Sequence, residues 1–152
     1  MKKSALVGSV ILIAAMFGTV AHNVNADCVE VYVDFGPLGG SKVSECIPAT
    51  GEVSAFEILN TAGFTLEGTQ EYGDAVVCRV NDLPSANVET CESMPPESAY
   101  WAILVKEHQV IPMPFGLEGE WGWAQVGANE ITLNPGDSIG LVFADNGEVT
   151  FP

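Results

Sequence analysis

The sequence predicts an α+β fold in which one helix packs across one face of a mixed sheet. Three observations predict it: two strands joined by a turn come first, one amphipathic helix follows, and every later apolar run has the length of a strand. A doubly wound parallel sheet requires helices that alternate with strands. This order of elements therefore excludes that architecture.

The first two strands form a predicted hairpin. Residues 28–35 are β-branched and aromatic, a Gly- and Pro-rich turn follows, and residues 41–47 run back. Folding the chain about Leu38 brings Cys28 nearly opposite Cys46. We therefore predict a disulfide between these two cysteines, closing the hairpin.

The helix lies between this hairpin and the later strands. Thr50 or Ser54 can act as its N-cap, and Gly63 is expected to end it, with Phe64 folding back as a hydrophobic closing contact. The apolar residues recur at helical spacing: Val53, Phe56, Leu59 and Ala62.

The remaining strands are short apolar runs separated by turn residues. They are expected near 75–80, 100–105, 121–126, 130–133, 138–144 and 149–151. Cys78 and Cys91 bracket loop-forming residues 81–87, and they are left to pair with each other once the hairpin is closed. A β-grasp-like sheet with one helix and two disulfides is the simplest architecture for this order of elements.

The N-terminal residues are expected to be a signal peptide. A basic start precedes an apolar run over 6–21, and small residues before position 27 favour cleavage after Ala26, which leaves a single domain over 27–152. The apolar run is shorter than the ~20 residues that a spanning helix needs. The sequence therefore predicts an exported protein without stable membrane insertion, and four cysteines without a C-x-x-C pair agree with that.

The charge of the chain argues against several partners. Removing the signal peptide removes two of five basic residues and no acidic one, so the formal charge changes from −15 to −17. Such a charge disfavours nucleic acid and anionic lipid. The carboxylates are expected to form a solvating surface. A calcium site is the alternative, although no D-x-D-x-D-G run supports it, and Asp145-Asn146-Gly147 is typical of a hairpin turn.

Enzymatic signals are weak. Gly136-Asp137-Ser138 is similar to the start of a lipase and esterase motif, but no histidine follows it to act as the base. His108 is the only histidine after residue 26 and lies in a polar stretch. We therefore expect no catalytic residue, no metal site and no cofactor.

Short runs along the chain carry a family resemblance: 33–36, 38–40, 62–64, 72–81, 95–101, 121–128 and 135–138, together with Cys91. Their order resembles that of secreted bacterial domains of the transcobalamin C-terminal-like family, long catalogued as a domain of unknown function. The resemblance implies a β-grasp-like fold and, in some relatives, contact with cobalamin.

Aromatic residues are concentrated in the second half of the chain. Trp121 and Trp123 are two positions apart and share a face if they lie in a strand, whereas Tyr100 and Trp101 point in opposite directions. These aromatics either fill the core beneath the helix or line an apolar site. We expect Trp101 in the core and propose Tyr100, Trp121, Trp123 and Phe115 as ligand-binding residues.

Two functional hypotheses follow from these observations. The first is a secreted, non-enzymatic module that binds a bulky, partly apolar small molecule, with a corrinoid as the ligand that the resemblance implies. The alternative is an extracellular interaction or structural module that binds a cell-surface protein through a sheet edge.

Overall fold

The computed structural model describes residues 27–106 and 120–152. The sequence-predicted signal peptide, His108 and Phe115 lie outside these residues. The described strands and α-helix are β1 (Cys28–Asp34), β2 (Val43–Pro48), β3 (Val53–Ser54), α1 (Ala55–Thr61), β4 (Leu66–Thr69), β5 (Gly73–Val80), β6 (Trp101–Lys106), β7 (Gly122–Trp123), β8 (Thr132–Leu133) and β9 (Ser138–Phe143). Short 3-10 helices span Gly36–Leu38 and Ala128–Glu130.

A five-stranded mixed sheet organises the fold, in the order β2-β1-β9-β6-β7. The first and last strands run parallel at its centre, with Val31 paired to Ile139, and their other neighbours are antiparallel. Alternate residues of β1 and β9 belong to the buried core that includes α1: Val29, Val31, Val33, Ile139, Leu141 and Phe143. Within the described residues, which hold mostly strands and one α-helix, the predicted α+β class is confirmed.

The ends of α1 follow the predicted signals. The Ser54 hydroxyl accepts a hydrogen bond from the Glu57 N–H at 3.2 Å, so Ser54 rather than Thr50 is the N-cap. Gly63 adopts a φ of 88°, and the Phe64 N–H donates to the Leu59 carbonyl at 3.0 Å. This 6→1 bond is that of a Schellman motif, which ends the helix and buries Phe64 against it.

Both predicted disulfides are present. Cys28 and Cys46 have Cα atoms 5.6 Å apart, and those of Cys78 and Cys91 are 5.7 Å apart. Cys28 is paired in register with Pro48 rather than with Cys46, so the first disulfide bridges the hairpin diagonally. The second disulfide is fully buried and fastens the loop after β5 to the strand.

Smaller sheets complete the layer on the helix side of the large sheet. β4 pairs with β5, and β3 pairs with β8. Val77 and Val80 extend from β5 into the core. Of the strands that the sequence predicted, the run over 121–126 is reduced to β7 and the run over 130–133 to β8, and residues 149–151 are not a strand. No helix within the described ranges is long and apolar enough to cross a membrane.

Candidate ligand-binding groove

Exposed apolar side chains gather at one place on the surface. The described residues include six large, exposed hydrophobic side chains, and three of them line one groove: Met94 (58% exposed), Trp123 (44%) and Val126 (50%). Phe151 packs edge-on against Trp123, with ring centroids 5.8 Å apart. A cluster of this kind on a small domain is typical of a binding surface.

The groove has a volume of about 800 Å³. One wall is β5, the floor is the first half of β6, and the other sides are the segments 94–98, 123–126 and 146–147. Most of its lining is apolar: Ala75, Val76, Val77, Met94, Pro95, Trp101, Ala102, Ile103, Trp123, Ala124 and Val126. The polar residues among the described lining are Glu97, Ser98, Tyr100, Asn146 and Gly147, which offers its backbone.

Tight backbone contacts hold the walls in place. The Gly147 N–H donates to the Ser98 carbonyl at 3.1 Å, and a Cβ at Gly147 would lie 3.0 Å from the Glu97 carbonyl oxygen. A Cβ at Gly127 would lie 2.9 Å from the Cβ of Ala75. Because these glycines allow such close approach, the segments that carry the wall residues are fixed to each other across the groove.

The floor of the groove is a sheet edge. The Tyr100 carbonyl accepts from the Ala144 N–H at 2.8 Å on the β9 side, and the Ile103 carbonyl accepts from the Ala124 N–H at 3.0 Å on the opposite side. Backbone groups alternate along a strand, so the N–H and C=O of Trp101 also point to the outer edge. At this edge β7 does not extend far enough to pair with Trp101, since it pairs only with Leu104 and Val105.

Trp101 anchors this floor in the core, as predicted. Its side chain is 5% exposed, and its indole N–H donates to the Leu83 carbonyl at 3.0 Å. Phe35 and Phe143 contact its ring edge-on, with centroids 5.2 and 5.3 Å away. Tyr100, which points the other way, is only partly buried and lines the groove.

The structure separates Trp121 from Tyr100 and Trp123. A Cβ on Gly140 would lie 3.1 Å from the Trp121 ring, which also contacts Tyr32 with centroids 6.4 Å apart. Trp121 therefore covers part of the sheet face opposite α1 and does not line the groove. Of the predicted residues that the structure describes, Tyr100 and Trp123 meet there, whereas Phe115 lies outside the described ranges.

Met94, Val126 and Asn146 line the groove although the sequence analysis did not select them. Each is a single residue in a loop, and no spacing links them. The one signal available was the Pro95-Pro96 pair, which indicates a rigid extended segment beside Met94.

No group of three or more His, Cys, Asp or Glu side chains within the described residues is placed to hold a metal ion. Comparison with known proteins found no matching family model, no matching curated protein and no matching solved structure.

Proposed function

We propose that this protein is an exported, non-enzymatic module that binds a bulky, partly apolar small molecule in the groove. The observation that carries the proposal is the exposed Trp123 beside Met94 and Val126 at a concave surface. The volume of about 800 Å³ lies within the ~300–1,000 Å³ typical of small-molecule sites. A few polar groups within an apolar lining are the usual means of orienting such a ligand.

We also propose that the large sheet is a β-grasp arrangement. The parallel first and last strands at its centre and the single α-helix on one face support this assignment. The resemblance to transcobalamin C-terminal-like domains makes cobalamins the first ligands to test.

The experiment measures ligand-induced stabilisation of the exported protein in thermal melts, first with cyanocobalamin and hydroxocobalamin and then with a panel of bulky apolar molecules. A ligand present at 100 times its Kd stabilises the folded state by about 2.7 kcal/mol. Trp123→Ala is expected to abolish that stabilisation while changing the melting temperature of the free protein little. Trp121→Ala is the matched control, since Trp121 lies outside the groove, and it should preserve the stabilisation.

A panel in which no compound stabilises the protein would contradict the proposal. Equal loss of ligand stabilisation in both tryptophan variants would also contradict it, because the effect would then not depend on the groove.

A second candidate function is binding of an extended peptide by strand addition. The outward N–H and C=O of Trp101 favour it, because they lie on the floor of the groove and a peptide backbone can pair with both. Amide hydrogen exchange distinguishes the two candidates. A bound strand protects the Trp101 amide strongly, whereas a small molecule that contacts only the aromatic walls leaves its exchange rate nearly unchanged.

A further inference from the structure

We infer that the ligand of this groove carries a positively charged group, such as an ammonium, a guanidinium or another organic cation. This inference rests on the proposed function and specifies the chemical class of the ligand. It comes from the charges around the groove and from the aromatic side chains that line it.

The acidic residues in and next to the groove lining have no basic counterpart there. Among the described lining residues, Glu97 alone carries a formal charge at neutral pH. Asp74, Asp145 and Glu148 are each next in sequence to a lining residue, and no lysine or arginine is. Within the described residues, the charged side chains of the lining and of its sequence neighbours are therefore all carboxylates, with no lysine or arginine to compensate them.

The described basic side chains are located elsewhere. Lys42 pairs with Asp34 at 2.8 Å, and Arg79 is buried, where it pairs with Glu67. Lys106 is the last residue of β6 and does not line the groove. Among the described residues, no hydrogen bond or ion pair holds the Glu97 side chain, so its carboxylate is available to a ligand.

The aromatic residues suit the same ligand. Trp123 and Tyr100 both line the groove, and the faces of such rings attract cations when these lie within about 6 Å. The edge-on contact with Phe151 restricts the orientation of the Trp123 ring. An apolar cation therefore satisfies the walls and the carboxylates together, whereas an apolar anion of the same shape is repelled by the carboxylates.

The test uses tetraphenylphosphonium and tetraphenylborate, two ions of nearly the same size and shape but opposite charge. Their affinities for the exported protein are measured by calorimetry at low and high salt. We expect tetraphenylphosphonium to bind at least tenfold more tightly at low salt, with the preference shrinking as salt screens the carboxylates. Trp123→Ala should weaken its binding, which locates the probe in the groove.

Glu97→Gln is expected to weaken tetraphenylphosphonium binding by about fivefold, the effect of removing one attractive charge pair at close range in water. The matched control is Glu45→Gln on the far edge strand β2, which changes the net charge equally and should leave affinity nearly unchanged.

Equal losses in Glu97→Gln and Glu45→Gln would overturn the inference, because the attraction would then be only that of the whole acidic surface. If the two ions bind equally well and Trp123→Ala abolishes the binding of both, the inference about charge is overturned. The proposed groove would still stand, because binding would depend on Trp123. If neither ion binds, the inference and the proposed apolar groove are both wrong.

Discussion

Arg79 provides the sharpest test of how the loop after β5 is held. Its side chain is buried, with its Nε donating to the Pro84 carbonyl at 3.0 Å and its Nη2 donating to the Glu89 carbonyl. Its Nη1 also lies 2.5 Å from a Glu67 carboxylate oxygen. The buried guanidinium thus links two loop residues, Pro84 and Glu89, to β5.

The contributions of these contacts differ because their exposure differs. The Glu67 side chain is 52% exposed, so solvent screens the ion pair and its loss should cost less than about 1 kcal/mol. A hydrogen bond from a charged donor contributes about 1.5–3 kcal/mol, and two carbonyls lose theirs in Arg79→Met. We therefore expect Arg79→Met to lower the free energy of unfolding by about 3–5 kcal/mol and Glu67→Gln by less than about 1 kcal/mol.

Urea denaturation of the oxidised proteins, followed by tryptophan fluorescence and circular dichroism, measures both values. If Arg79→Met does not fold, Arg79→Lys takes its place: it keeps the charge but cannot reach both carbonyls, and a loss of about 2 kcal/mol is expected. A Glu67→Gln variant as unstable as the Arg79 variant would refute the reasoning, since the ion pair would then dominate.

Three further predictions concern stability. Replacing Cys78 and Cys91 together by alanine should cost about 3 kcal/mol in urea denaturation, since the disulfide closes a loop with a sequence separation of 13. Trp101→Phe keeps an aromatic ring but removes the indole hydrogen bond to the Leu83 carbonyl, which still accepts from the Val80 N–H at 2.9 Å, so a loss of about 0.5–1.5 kcal/mol is expected by the same measurement. Burial alone would raise the pKa of Asp34, but hydrogen bonds from Lys42 and a backbone N–H, together with the Lys42 charge, outweigh it and lower the pKa below its ordinary 3.8. The stability that ionised Asp34 contributes is therefore fully present above pH 3.8 and is lost as the pH falls through the lowered pKa. When the free energy of unfolding is measured at successively lower pH, the difference between wild type and Asp34→Asn should close.

The sequence predicted those parts of the fold that depend on neighbouring residues. The hairpin, its disulfide and the α1 boundaries follow from alternation, turn residues and caps, all within about twenty residues of one another. β4 was not predicted because Gly68 weakens its pattern. In the structure this glycine lies at a bulge, where a Cβ would be 2.3 Å from the Gly73 carbonyl oxygen.

Residues 149–151, in contrast, are predicted to be a strand but do not form one. Their composition suits a strand, but no described strand pairs with them, and Phe151 instead packs against the ring of Trp123. Whether an apolar run becomes a strand depends on a partner edge being available, and residues far away in sequence decide that.

The groove also depends on residues that are far apart in sequence, as the two tryptophans show. Alternation places Trp121 and Trp123 on one side of their short segment, but it does not reveal what that side meets. Gly140 has no side chain, and the gap it leaves on the sheet is filled by the ring of Trp121. Trp123 lies in β7 at the edge of the sheet, paired with Leu104, and its side chain stays 44% exposed. A glycine in another strand thus decides which of the two tryptophans packs against the sheet face.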